Sequence, residues 1–166
     1  IELGLPISAN DVRALRPDVV IVATGSRPLI PPIPGADRDG VVTSDDVLAG
    51  RVAVGERVVI VGGGSCGAET ADFLAARGKK AIVVEMLDLL CQDMLPDARY
   101  FLLERLEQAG VQILTSTTVK AIGDRSVTVA RKKPGLDLEW TAVLDEVDTV
   151  VLAVGAQSNR ELAEEL

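Results

Sequence analysis

Apolar residues in this chain gather in short runs broken by Gly, Asp and Pro, the pattern of strands buried on both faces of a parallel sheet. Residues 57–61 (Arg-Val-Val-Ile-Val) are one such run, and Gly62-Gly-Gly64 turns the chain after it. Ala68, Ala71, Leu74 and Ala75 then recur at helical spacing up to Gly78. Lys80-Ala-Ile-Val-Val84 follows as a second strand ending on Glu85. Strand, helix and strand make a βαβ unit that starts at Glu56. A second helix is predicted after Pro96-Asp97, with Leu102, Leu106 and Ala109 on one face and Gly110 as terminator. Val111-Gln-Ile-Leu114 reads as a third strand.

The pattern then changes. Residues 118–122, 126–131 and 138–143 read as three short strands, with turns at Gly123-Asp124 and Lys133-Pro134-Gly135. A meander thus replaces the helix of a plain repeat, and Asp148-Thr-Val-Val-Leu-Ala153 returns as a buried strand. The fold expected is α/β: a Rossmann-like parallel sheet with a three-stranded β-meander crossover. Upstream, residues 10–15 suit a short helix before Pro17, and residues 18–23 form another strand-like run. Pro28, Pro31, Pro32 and Pro34 favour an extended linker over residues 26–40, and Ser44 is placed to cap a short helix over 45–49. Residues 18–25 and 148–155 share the pattern Asp-x-Val-apolar-apolar-Ala-x-Gly, so similar strands would bracket the βαβ core.

Composition narrows the function. With 166 residues, 48% of them hydrophobic, the chain suits one compact domain with a short appendage. No apolar run approaches the ~18 residues of a membrane span, and no signal peptide pattern is visible. A net charge of −8 argues against nucleic acid or an anionic membrane as partner. The densest basic cluster, Arg131-Lys132-Lys133, suits a solvated turn. Two cysteines in neither CxxC nor CxxxxC spacing, and no histidine, point to a reducing, cytoplasmic setting. They argue against a redox dithiol, a zinc site and triad hydrolysis. The chain opens on Ile1 and ends in a helical run, 160–166, and reads as a piece of a longer protein.

The candidate chemistry lies in Gly62-x-Gly64-x-x-Gly67, which leaves a strand, opens a helix and is followed by an acidic residue closing the next strand. That residue, Glu85, stands 85 − 62 = 23 positions after the first glycine; a dinucleotide fingerprint places it about 20 on. Gly62 permits the tight turn, Gly64 lets a diphosphate approach the backbone, and Gly67 packs the helix on the sheet. With Gly63 between them, the amides near Ser65 and Cys66 face the phosphates with the positive end of the helix dipole. Glu85 would accept hydrogen bonds from the adenosine ribose and repel a 2′-phosphate. Met86-Leu87-Asp88 offers no Arg or Lys to hold one, so NADH is favoured over NADPH.

Cys66 is either a reactive thiol at a helix N-terminus or a small residue beside the phosphates. Cys91 reads as a small core or half-buried hydrophobe. Glu69 faces either solvent or the nicotinamide end.

The strings Val59-Ile-Val-Gly-Gly-Gly-Ser-Cys-Gly-Ala-Glu-Thr-Ala71 and Gly78-Lys-Lys-Ala-Ile-Val-Val-Glu-Met-Leu-Asp88 resemble the C-terminal region of NADH:flavin oxidoreductases. These are the enoate reductase, 2,4-dienoyl-CoA reductase and trimethylamine dehydrogenase relatives of old yellow enzyme. The resemblance extends to Val22-Ala-Thr-Gly-Ser-Arg-Pro28, Ile33-Pro-Gly35, Thr43-Ser-Asp-Asp46 and Val151-Leu-Ala-Val-Gly155. It implies a fold of the FAD/NAD-linked reductase type. Residues 1–50 would be a flanking segment from an FAD-type domain with its linker, 51–155 the NAD-binding domain, and 156–166 the return to the FAD-type domain. Thr24 and Gly25 would lie at the FAD-side junction. Ala153, Val154 and Gly155 would return the chain near the nicotinamide, with Glu69 by its ribose, and Thr118-Val119 would line the adenine pocket beside Met86.

By the same resemblance this chain binds NAD(H), while FAD, FMN and an iron–sulfur cluster belong to other parts of the whole protein. The first GxGxxG, for FAD, is absent here, as are the cluster cysteines, so this chain alone is expected to hold flavin weakly or not at all. Gln157-Ser158-Asn159 departs from the Arg-x-Pro-Asn of the superfamily. Three functions compete: an NADH-binding module of a flavin-dependent alkene reductase, a non-catalytic ADP-binding module of trimethylamine dehydrogenase type, and a disulfide reductase with its dithiol elsewhere. Partners are then a dinucleotide and the remaining flavin domains.

Overall fold

The computed structural model describes residues 1–132 and 139–166. In chain order it contains α1 (Ala9–Leu15), β1 (Ser26–Pro28), β2 (Val41–Thr43), α2 (Ser44–Leu48), β3 (Arg57–Val61) and α3 (Ser65–Ala75). There follow β4 (Lys80–Val84), α4 (Pro96–Gln108), β5 (Gln112–Leu114), β6 (Thr117–Gly123), β7 (Ser126–Lys132) and β8 (Glu139–Asp145). The chain ends with β9 (Thr149–Leu152), β10 (Ala156–Ser158) and α5 (Glu161–Glu165). The turn expected at 133–135, and the first residue of the strand expected from 138, lie outside the described residues.

Two compact units are present: Pro28–Gly155, and Ile1–Arg27 with Ala156–Leu166. The larger is built on a five-stranded parallel sheet in the order β2-β9-β3-β4-β5. Alternation along β3 explains its two cores, because successive strand residues point to opposite faces. Val58 and Ile60 join Ala68, Ala71, Leu74, Leu102 and Leu106 on the helical side. Val59 and Val61 join Ile122, Val127 and Val129 on the other, where β6, β7 and β8 form the antiparallel meander. The Rossmann-like parallel sheet with a three-stranded meander crossover is therefore present. No helix among the described residues is long and apolar enough to cross a membrane.

Two local expectations need correction. Thr43, not Ser44, caps α2: its side-chain oxygen accepts the Asp46 amide at 3.2 Å, and Ser44 is the first helical residue. The proline-rich segment holds no helix or central strand, as expected, and leads into β2, which pairs in parallel with β9 through Val41↔Val150. Residues 28–50 thus pack within the larger unit, because β2 supplies the sheet's edge strand. Residues 18–23 are not a strand; Val19 and Ile21 are 77% and 88% exposed, and an apolar run forms a strand only where a neighbour takes its hydrogen bonds. Of the two echoed segments only the second is a strand, although Gly25 and Gly155 share the left-handed backbone region, at φ 74° and 103°.

The smaller unit is held by polar contacts. Ser8 and Asp11 form a reciprocal cap on α1, and β1 pairs with β10. Thr24 Oγ1 donates to the Asn159 carbonyl at 2.6 Å, and Asn159 Nδ2 returns a bond to the Thr24 carbonyl at 3.0 Å. The Asn159 amide donates to Gly25 O at 2.9 Å. Asn159 thus ties the two chain segments of the smaller unit to each other.

Candidate dinucleotide cradle

The glycine turn sits where β3 hands over to α3, and its geometry leaves little choice of residue. Gly62 has φ 103°, and a Cβ there would lie 2.5 Å from the Ala153 carbonyl oxygen. At Gly67 a Cβ would meet the Gly62 carbonyl oxygen at 2.0 Å, so only glycine lets α3 start this close to the sheet. Gly63 is closed by Glu85 and Leu90, at 2.9 and 3.0 Å. Gly64 differs: its missing Cβ faces only the carboxylate of Asp93, nearest at 3.7 Å. The backbone is open there, as a diphosphate approach requires.

A cavity of about 780 Å³ opens in front of this turn, within the range of ligand sites. It gathers Gly62, Gly63, Gly64, Ser65 and Cys66 from the turn and helix start, Glu85 and Met86 from the end of β4, Val119 from β6, and Ala153, Val154 and Gly155 after β9. Leu29, Pro31 and Ile33 add an apolar wall from the proline-rich segment. Gly67 lies behind the lining as a packing residue, and Glu69 is exposed on α3, off the lining. Thr24 and Gly25 belong to the smaller unit.

Glu85 is only 7% exposed. Its Oε2 accepts the Gly63 amide at 2.5 Å and its Oε1 the Leu87 amide at 2.7 Å. Both oxygens keep lone pairs for hydroxyl donors. Met86, Leu87 and Leu89 are half or more exposed on the same rim, an apolar surface on which a flat ring can lie.

Sequence reasoning missed Asp93. Its carboxylate accepts the Ser65 amide at 3.0 and 3.2 Å and the Ser65 hydroxyl at 2.6 Å. The Ser65 hydroxyl, more than any other contact, holds this carboxyl below the usual Asp range. No motif places Asp93; it lies between β4 and α4, and only the folded loop brings it to the helix start. Among the described residues that line the cavity none is Lys or Arg, so attraction for an anion must come from amides and the dipole of α3.

The two thiols differ. Cys66 is exposed and donates to Ser44 Oγ at 3.3 Å. Cys91 is buried, its amide donates to the Gly63 carbonyl at 2.8 Å, and burial pushes its thiol up to about 11.

Sheet, meander and glycine turn together define a nucleotide-binding α/β fold, and comparison with known proteins gives its family. A model described as pyridine nucleotide-disulphide oxidoreductase matches residues 6–166. The chain belongs to the pyridine nucleotide-disulphide oxidoreductase family. It is similar to an NADH oxidase of Thermoanaerobacter brockii, 38% identical over 156 residues covering 92% of this chain and 23% of that protein. A bilirubin reductase of Mediterraneibacter gnavus is 38% identical over 159 residues, covering 96% of this chain and 24% of that protein. The structure of a 2-naphthoyl-CoA reductase in complex with 2-naphthoyl-CoA matches 99% of this chain and 24% of its own, with TM-score 0.85 and 28% identity. The chain spans about a quarter of the length of these relatives. It is a region of a flavoprotein oxidoreductase family that binds pyridine nucleotide, a broader grouping than the old yellow enzyme branch its strings resemble.

Proposed function

We propose that this chain is the NADH-binding region of a flavin-dependent oxidoreductase whose whole protein reduces an activated alkene of enoate or 2,4-dienoyl-CoA type. The observation that carries the NADH assignment is Glu85, fixed by two backbone amides at the rim of the cavity that starts at the glycine turn. The Gly64 slot, the apolar rim and the helix start fit a dinucleotide. Ser65 and Cys66 would hold its diphosphate, Glu85 its adenosine ribose, and Met86 and Val119 its adenine. Residues Ala153, Val154 and Gly155 would border the nicotinamide half, with Glu69 by its ribose and Thr24 and Gly25 at the flavin-side junction. NADH bound there supplies a hydride to a flavin. This chain's residues contribute position and electrostatics to that transfer.

The alkene assignment rests on the resemblance of residues 59–71 and 78–88, with likeness to bilirubin and 2-naphthoyl-CoA reductases in support. FAD, FMN and an iron–sulfur cluster would be carried by other domains, in a cytoplasmic protein. A second reading, ADP held as a structural ligand, is favoured by one feature: the most sharply fixed groups, Glu85 and Ser65, address only the ADP half. Calorimetry with NADH, NADPH and ADP tests the proposal. NADH binding at least tenfold tighter than NADPH supports it. Equal affinities for NADH and NADPH would overturn the role given to Glu85, and failure to bind any of the three would overturn the site.

A further inference from the structure

We propose that Asp93 is a built-in occupant of the anion position at the start of α3, and that a dinucleotide binds only as this carboxylate swings out. The inference rests on the cradle assigned above and deepens it. A diphosphate in that cradle needs the amides at the head of α3 and the open side of Gly64. Asp93 takes both: its oxygens accept the Ser65 amide and hydroxyl, and they are the atoms nearest to the absent Gly64 Cβ. With no cation among the described residues lining the cavity, a carboxylate and a diphosphate cannot share this spot without repulsion.

The surroundings permit the exchange. Asp93 is exposed, so its side chain can turn into solvent without breaking the core. Its loop is pinned two residues earlier by Cys91, whose amide is tied to Gly63 O, and by buried Leu90. Rotation about the Asp93 side chain therefore frees the helix start while the loop stays docked. The free protein then divides between closed and open forms, and apparent affinity is reduced by the fraction open.

Replacing Asp93 by Asn keeps a carbonyl for the Ser65 amide but removes the charge, and a charge-assisted bond is about twice as strong as a neutral one. In calorimetry on this chain, Asp93→Asn should tighten both NADH and ADP by about tenfold. Adenosine, which has no diphosphate, should bind as in the parent. The gain should persist in about 0.5 M salt, since a displaced contact, unlike a long-range repulsion, is little screened. Unchanged or weaker NADH binding by both folded variants, Asp93→Asn and Asp93→Ala, judged by their melting curves, would overturn the proposal. So would an equal gain for adenosine, or a gain that vanishes in salt. These outcomes leave the cradle itself standing. If neither parent nor variant binds ADP or NADH, the cradle falls and the inference with it. Asp93→Ala provides a second variant in case Asn retains the closed form, and its gain should be at least as large.

Discussion

Glu85 Oε2 lies 2.5 Å from the amide nitrogen of Gly63, so the acid at the end of β4 and the turn after β3 are one hydrogen-bonded unit. The turn cannot move without the carboxylate, and the carboxylate has no free rotation. Glu85→Ala strips an acceptor from the Gly63 and Leu87 amides and should cost about 1–3 kcal/mol in denaturant unfolding. Glu85→Arg should in addition reverse the cofactor preference toward NADPH, because a cation there meets the 2′-phosphate. A variant of parental stability with unchanged preference would show that Glu85 does not border the ribose.

Substitutions at the glycines should separate packing from the binding proposed at Gly64. Gly67→Ala drives a methyl to 2.0 Å from a carbonyl oxygen, and α3 must shift; a loss of about 1–3 kcal/mol or more is expected, as for overpacking in a rigid core. Gly64→Ala adds a methyl that meets Asp93 only at ordinary contact distance, and its φ of −66° suits alanine. Stability should stay within about 0.5 kcal/mol of the parent while NADH affinity drops at least tenfold. Loss of both together in Gly64→Ala would mean that Gly64 serves the fold.

The close packing at Gly67 and the tight turn at Gly62 are legible in the sequence, as is most of the sheet. The apolar periods of residues 57–61, 80–84 and 149–152 are local, and each strand's neighbours lie within the chain. Residues 18–23 have the same local pattern without a pairing partner among the described residues, and pattern alone does not report that. β2 was hidden for the opposite reason: Val41–Thr43 is too short for a period to show, and pairing with β9 makes it a strand. Asp93 escaped because carboxylates in loops are common, and no spacing rule connects position 93 to Ser65. Tertiary folding alone turns that ordinary acid into the cap of α3.

Acid should undo the fold through carboxylates that act as backbone caps. Asp148 accepts the amides of Glu56 and Arg57 at 3.0 and 2.8 Å and pairs with Arg125 at 2.9 Å. The Arg57 amide is the main reason that its carboxyl ionises below the ordinary 3.8; Asp46, beside Arg51 and Thr43, is lowered likewise. The folded state binds the proton less readily than the unfolded chain, so these groups stabilise above 3.8 and stop doing so as pH falls through their lower folded values. The melting temperature should be level between about pH 8 and 5 and decline below about 4. Asp148→Asn should start lower and decline less steeply; an equally steep acid limb would show that Asp148 carries none of this dependence.

The two thiols should report on the cavity and the core separately. Cys91 is 1% exposed, and burial raises its thiol from an ordinary 9.0 to about 11. Cys66 stands exposed on the cavity lining. Near pH 8, iodoacetamide should label Cys66 in the native protein and reach Cys91 only after unfolding, giving one adduct and then two by mass spectrometry. Because the unfolded chain loses the Cys91 proton first, stability that is full below 9.0 should fall as pH climbs toward about 11, and Cys91→Ala should abolish that alkaline slope. Saturating NADH should slow labelling of Cys66, since its diphosphate would lie on the same helix start. Labelling at an unchanged rate, with NADH shown by calorimetry to be bound, would place the ligand elsewhere and detach the glycine turn from the function proposed for it.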